Sequence, residues 1–446
     1  MSASIYNIET MSVTPSGLRF TLITTFYPPY HFGGDANYVR QMAHILAGLG
    51  HQVDIIHDID AWRMLSKQDN PPPLQEPEGV KVFGLQSRIG ALSCFATQQL
   101  GHPVVHGKQI RTILEQRKPD IIHFHNISLV GGPGILSYGN ALKLYTAHEH
   151  WLVCPSHILW RHNREICTGK QCLRCVLNYR RPPQLWRHTG LIDRAAKAVD
   201  AFCSPSHFSA DKHAEFGFAR DMTVLPSFLP DMEPVSDDPE ISAAASRRPY
   251  FLFVGRLEII KGLQDIIPLF VENAPADLWI AGTGDYEQTL KQLAKGSEHI
   301  HFLGQTASEK LRPMYANAIA AITPSRCYEV FPLVVLEAFR ERTPIVAREL
   351  GPYPEIVSQS DGGLLFKTQQ ELRAALQKLA SDVALRNKMG DAGYAAYQSI
   401  WSQSAAMTAY FDLIRQLASR RNDERILQVL STCSPQGQLQ TLADCV

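Results

Sequence analysis

No stretch of eighteen apolar residues occurs in the 446-residue sequence, so no segment reads as a membrane-crossing helix. The opening residues, MSASIYNIETMSVTPSGLRF, lack a basic end followed by an apolar core, which predicts a cytoplasmic protein without an export signal. Charge of one sign is not in excess: 43 Lys and Arg stand against 43 Asp and Glu, and that balance argues against a generalised coating of nucleic acid or lipid. Cysteine is scarce as well. Nine in this length are too few for a disulfide scaffold, so any that cluster point to metal or redox chemistry. No internal repeat or low-complexity tract is visible. With 45% apolar and 19% charged residues, the chain suits two or three packed domains.

Short β-branched runs alternate with amphipathic stretches. LRFTLITT at 18–25 precedes a helical DANYVRQMAHILAGLG and then QVDIIHD at 52–58, which is a βαβ pattern. Val39, Met42, Ala43 and Leu46 fall on one helical face, as a helix covering a parallel sheet requires. Strands continue at VKVFGL, PDIIHFHN, LKLYTAH, AFCSPS and MTVLPSF. Residues 230–248, rich in Pro, Ser, Ala and acid without an apolar period, read as a linker. YFLFVG, DLWIAG, HIHFLG, IAAITP, PIVARE and GLLF then build a second, smaller parallel sheet. The expected division is a first α/β domain at 1–232 with a Cys- and Arg-rich insertion at 151–188, a linker at 233–248, and a second α/β domain at 249–400. A helix at 401–420 returns to the first domain, and 421–446 is a loosely attached polar tail. Such a pair of halves binds ligand in the cleft between them, at the carboxyl ends of the strands.

The second half carries the strongest chemical signal. In SRCYEVFPLVVLEAF, Glu329 sits in a loop after a strand and Glu337 lies eight positions on, in the following helix. That spacing is a little over two helical turns, so both carboxylates are expected at one end of the cleft, where charged acceptors bind sugar hydroxyls strongly. A loop Glu and a solvated helix Glu are the plain alternative, weakened for Glu337 by the apolar run around it. Pro332 fits the first helical position and leaves the amides of Leu333 and Val334 to hold an anion. In FVGRLEIIKG, Arg256 and Lys261 flank a strand-to-helix turn and suit a departing diphosphate, although a solvated basic pair reads equally well. AGTGDYE offers Gly282 and Gly284 but has Glu287 at the third glycine position, too weak a match for a nicotinamide cofactor. No Asp-x-Asp metal motif is apparent, so the cations are expected to serve in place of Mg²⁺ and no catalytic metal is required.

In the first half, Gly33 and Gly34 precede a helix that Asp35 can cap, which suits close approach of a phosphate as well as a plain turn. TAHEHW places His148 and Glu149 at a strand end facing the cleft. His123, His125 and Asn126 line the same cleft or pack behind it. Cys154, Cys167, Cys172 and Cys175, the last two spaced C-x2-C, match the ligand count of a structural zinc site, with disulfide or redox use, an iron–sulfur centre or no cross-link as alternatives. His150 and His157 are further candidate ligands. Arg161, Arg164, Lys170, Arg174, Arg180, Arg181 and Arg187, interleaved with Trp160, Tyr179 and Trp186, fit a solvated face, a pyrophosphate-bearing acceptor or peripheral contact with the inner face of the cell membrane.

In this order GRLEIIKG, AGTGDYE, FLG, EVFPLVVLE and TPIVARELGPYPEIV resemble the nucleotide-sugar half of retaining glycosyltransferases of family 4, and the likeness runs over 18–420. It implies an α/β fold of the GT-B type: two Rossmann-like, doubly wound parallel-sheet domains facing a central cleft. It also implies that Arg256 and Lys261 hold the donor diphosphate, Glu329 contacts the transferred sugar, and Glu337 binds the ribose hydroxyls. Gly33 and Gly34 would line the cleft beneath the phosphates, and His148, in a T-x-H-D-like pattern with Glu149 for Asp, would lie beside the sugar. The implied donor is a UDP- or GDP-sugar, and the acceptor a glycan, a lipid-linked acceptor or a small molecule. A nucleotide-sugar epimerase of the same architecture and a catalytically silent scaffold are the competing readings. Pro332, where many members carry Gly, and Gly351-Pro352, where paired glycines are common, depart from the pattern.

Overall fold

A computed structural model describes residues 17–66, 71–236, 238–272 and 275–432, so the opening residues and the end of the expected tail lie outside it. The first domain carries β1 (Arg19–Ile23), β2 (Gln52–Asp58), β3 (Val80–Leu85), β4 (Ile121–Phe124) and β5 (Leu142–Thr146), then a hairpin of β6 (Trp160–Arg161) and β7 (Glu165–Ile166), then β8 (Ala201–Ser204) and β9 (Met222–Val224). The second carries β10 (Tyr250–Val254), β11 (Asp277–Ala281), β12 (Ile300–Gly304), β13 (Ala321–Thr323), β14 (Ile345–Arg348) and β15 (Gly363–Phe366). Apart from the hairpin the strands form two parallel sheets, ordered β3-β2-β1-β4-β5-β8-β9 and β12-β11-β10-β13-β14-β15. Strand order reverses beside β1 in one sheet and β10 in the other, and a crevice opens there at the carboxyl ends. This is the α/β GT-B arrangement.

Both faces of each sheet are covered, so β1 and β2 are buried along nearly their whole length, with Asp54, His57 and Asp58 of β2 among the buried polar groups. Helix Gly34–Gly48 lays Val39, Met42, Ala43 and Leu46 on the first sheet. After the second sheet the chain recrosses: helix Gln403–Arg421 buries Met407, Tyr410, Phe411 and Ile414 in the core of the first domain.

Two expectations need correction. The segment read as an unpatterned linker contains helix Pro239–Arg247, with the Asp238 side chain accepting the Glu240 and Ile241 amides and Pro239 starting the helix. Its single buried residue, Ile241, packs with the second domain, too little apolar signal to show a period. The tail is also anchored through residue 432. Helix Glu424–Thr432 buries Ile426 and Leu430 in the first core, and Arg425 pairs with Asp120 at 2.9 Å beside Arg19 at 2.8 Å. Burial pushes the Asp120 carboxyl up, but the two guanidiniums outweigh it and hold it below its usual range. Ile426→Ala is expected to cost about 2–5 kcal/mol in denaturant unfolding. An unchanged midpoint would return this helix to the status of a loose tail.

Candidate active site

The carboxyl ends of β1, β4 and β5 face those of β10 and β13 across one cavity of about 480 Å³. Gly33, Gly34 and His148 line it from the first domain, and Arg256, Lys261, Glu329, Leu333 and Val334 line it from the second. Gly282 and Glu337 are not among the lining residues.

Lys261 owes its position to a glycine. After β10 the chain makes 3₁₀ turns at Ile259–Lys261 and Leu263–Asp265 instead of the single helix expected. Between them Gly262 has φ +80°, and a Cβ there would lie 2.1 Å from the Pro324 carbonyl oxygen after β13. The turn therefore sits directly against the other cleft-forming loop. Lys261 Nζ reaches Glu329 Oε1 at 2.7 Å, and Ser325 Oγ donates to the same oxygen at 2.7 Å. Burial alone would raise the Glu329 carboxyl, but the Lys261 ammonium, Ser325 and Arg256 outweigh it and hold it below the carboxylate range. Burial opposes the Lys261 charge in the same way, and Glu329 overrides it, so its pKa rises. Arg256, which lines the cavity, pairs with Glu258 at 2.7 Å and is 65% exposed.

Helix Leu333–Arg340 begins one residue later than expected, with Pro332 as its extended N-cap. The amides of Leu333 and Val334 therefore have no carbonyl within the helix to bond to. Opposite them, a Cβ on Gly34 would lie 3.6 Å from Leu333 Cδ1, so the glycine loop of one domain meets the helix start of the other. Gly33 is the N-cap of its helix without a side-chain bond, and Asp35 lies in the first turn instead of capping it. The two-turn argument for the carboxylate pair fails, because Glu329 precedes the helix. Glu337 accepts from Tyr315 Oη at 2.8 Å, and burial lifts its carboxyl more than Tyr315 and Arg340 lower it. Gly282, φ +135°, is needed for packing: a Cβ there would meet the Gly255 oxygen at 2.0 Å.

His148 shares a hydrogen bond with His125, Nε2 to Nδ1 at 2.9 Å. Behind them His123 bonds Thr146 Oγ1 at 2.8 Å and Tyr410 Oη at 3.2 Å, so His123 and His125 back the cavity while Asn126 lines it. Burial lowers all three imidazoles, His123 to about 3, and for His148 it outweighs the opposing Asp35 and Glu149 charges. His148 is therefore a neutral hydrogen-bonding group. Glu329 contributes stability above the usual carboxylate range, lost as pH falls through its depressed value, whereas the Lys261 contribution is lost only above the usual lysine range. With His148 already neutral, kcat/KM is expected to be flat between about pH 7 and 9. A break inside that window would contradict these assignments.

Cys154, Cys167, Cys172 and Cys175 all carry free thiols. Burial first, then repulsion from the neighbouring sulfurs, raises Cys167 and Cys172. The donor set suits Zn²⁺, but the geometry is not closed. Among the described residues the one group bringing three ligand atoms within 4.8 Å of one another is Asp58, Asp60 and His106. This is an Asp-x-Asp pair that the sequence reading passes over. It lies outside the cavity, with Asp58 capping helix Ile59–Leu65 and Asp60 accepting from Ser87. His157 is held by Glu149 at 2.8 Å, and His150 is buried against His213.

Several bridging residues escape the sequence reading. Glu355 accepts the His207 and Phe208 amides at 3.0 and 2.9 Å, capping a first-domain helix from the second domain, and Ser206 Oγ donates to the Val330 carbonyl at 2.9 Å. Trp160 of the hairpin packs on Ile260 and Cys327, next to Lys261 and close to Glu329. The only sequence hint is that Glu355 stands in TPIVARELGPYPEIV.

Comparison with known proteins agrees with this geometry. Residues 32–230 match Glycosyltransferase Family 4, and residues 235–396 match Glycosyl transferases group 1. An uncharacterized glycosyltransferase of Methanocaldococcus jannaschii is 34% identical over 395 residues, 83% of this chain and 90% of that protein. Among solved structures, sucrose-phosphate synthase from Thermosynechococcus elongatus superposes with a TM-score of 0.69 at 19% identity, covering 90% of this chain and all (100%) of that one. Anabaena HepE in complex with UDP gives 0.60 at 18% identity, with coverage of 90% and 100%. The two matched segments meet at the cleft just described, and the chain belongs to the family 4, group 1 glycosyltransferases.

Proposed function

We propose that this glycosyltransferase moves a sugar from a UDP- or GDP-sugar to an acceptor hydroxyl with retention of anomeric configuration, in the synthesis of a polysaccharide, glycolipid or cell-envelope glycan. The observation that carries the reading is the partly buried Lys261–Glu329 pair set beside the open amides of Leu333 and Val334 and facing the Gly33–Gly34 loop. An ammonium, a guanidinium and a helix start converge where a diphosphate would gain charge on leaving, which is where preorganised donors contribute most to rate. Glu329 is kept ionised to accept hydrogen bonds from the sugar, and neutral His148 faces it from the other domain. Glu337 would take the ribose hydroxyls on the free side of its carboxylate. Anabaena HepE holds UDP in a fold of this kind, which favours a uridine donor. These cations stabilise the leaving group without a metal, so a chelator is expected to leave turnover unchanged. Domain closure would exclude water and limit donor hydrolysis.

The experiment is acceptor-free incubation with UDP-, GDP- and ADP-sugars, reading nucleoside diphosphate release and epimer formation. Slow release from one donor class supports transfer. Epimerised donor without release would instead support the epimerase reading, and no binding or turnover of any donor would contradict both.

A further inference from the structure

Residues 86–114 and 166–192 depart sharply from the neutral balance of the chain: together they hold eight Lys or Arg and no Asp or Glu. They also hold nine of the nineteen large apolar side chains that are exposed among the described residues. The fold joins the two segments into one face. Gln98 and Gln99 on helix Ala91–Leu100 donate to the Pro182 and Pro183 carbonyls at 3.0 and 3.3 Å, and Trp186 Nε1 donates to the Gln98 carbonyl at 2.8 Å. Pro183 and Leu185 line a cavity together with Leu173 of helix Cys172–Asn178.

Leu92 and Phe95, three apart on one side of their helix, are 65% and 51% exposed, while Ser93, Cys94 and Thr97 face inward. Leu173 and Leu177, four apart, are 57% and 58% exposed, and Leu185 is 66% exposed. Arg88, Arg174, Arg180 and Arg181 are exposed within the same two segments. Long basic side chains lie along apolar surface and hold their charge outward. A purely charged soluble ligand leaves the leucines unexplained, and an apolar protein contact leaves the exposed arginines unexplained. A surface that is anionic outside and apolar beneath satisfies both.

We propose that this face of the first domain docks on an anionic lipid surface, with Leu92, Phe95, Leu177 and Leu185 entering the headgroup region and the arginines pairing with the lipid charges. Neither helix is long enough to provide the contact alone, and the joined patch supplies it. The proposal stands independently of the donor assignment.

The test is co-sedimentation of the full chain with vesicles of pure phosphatidylcholine and of phosphatidylcholine with phosphatidylglycerol, at low and high salt. Binding is expected to the anionic vesicles alone and to weaken with salt. Leu92→Ser/Phe95→Ser and Arg180→Glu/Arg181→Glu are each expected to lower the partition coefficient about tenfold or more, with unfolding midpoints near wild type because all four side chains are exposed. No binding to anionic vesicles, or equal binding by wild type and both variants, overturns the proposal. Loss in the arginine variant alone overturns it in favour of a purely electrostatic contact. Self-association removed by the Leu92/Phe95 substitutions, without vesicle binding, overturns it by assigning the face to a second copy of the chain.

Discussion

Lys261→Ala is expected to lower release of nucleoside diphosphate from the productive donor by about 10²–10³-fold, the usual consequence of removing a preorganised group from the site of developing charge. The same substitution is expected to destabilise the protein. Lys261 and Glu329 are 22% and 18% exposed, and removing one member of such a pair leaves the other carrying an uncompensated charge, at about 3–5 kcal/mol. The two effects separate in the double variant Lys261→Ala/Glu329→Gln, which removes both charges: stability should return in large part while turnover stays low. Steady-state release and denaturant unfolding, measured on the same preparations, check both. Wild-type turnover in Lys261→Ala would remove the diphosphate role from Lys261.

Gly262→Ala is the second substitution of large expected effect, although it adds a single methyl group. The residue has φ +80°, which costs an L side chain about 1–2 kcal/mol, and the new Cβ would lie 2.1 Å from the Pro324 oxygen. Backbone stands on both sides of that contact, so relief requires the loop carrying Lys261 to separate from the loop leading to Ser325 and Glu329. The expected result is a loss of about 3 kcal/mol or more in unfolding free energy. A fall in turnover approaching that of Lys261→Ala should accompany it, since misplacement of about 1 Å can cost 10²-fold. Gly34→Ala makes a useful contrast: its Cβ would find ordinary contact at 3.6 Å from Leu333, so the fold should tolerate it. If Gly262→Ala left both stability and turnover unchanged, the described approach of the two loops would be incorrect.

Sheet topology was legible because fully buried parallel strands leave dense apolar runs and their covering helices leave a clear 3.6-residue period, as Val39, Met42, Ala43 and Leu46 illustrate. Cleft residues were legible wherever a strand end was followed by glycine, a basic residue or a carboxylate. Gly282 misled because a glycine required for backbone packing looks the same in sequence as one required for ligand approach; only the 2.0 Å distance to Gly255 separates them. Asp58-Ile59-Asp60 is hard to read because a helix cap and a hydrogen-bonded acid carry no signal beyond their spacing. Counting helical turns groups Glu337 with Glu329 across a segment that is half loop. Contacts across the cleft, such as Glu355 with the His207 and Phe208 amides or Trp160 with Ile260, join residues far apart in the chain, and one sequence holds no local trace of them. The insertion illustrates the same limit. Its cysteines were conspicuous, whereas its packing against the loops that carry Lys261 and Glu329 was not.

The assignment of the cleft as a nucleoside diphosphate site is tested most directly by calorimetric titration of UDP and GDP into the wild-type chain and into Arg256→Ala/Lys261→Ala. One nucleotide is expected to bind at a single site, with affinity falling about a hundredfold in the variant as two charge-assisted contacts are lost. Failure of both nucleotides to bind the wild type, or equal binding by wild type and variant, would contradict the assignment.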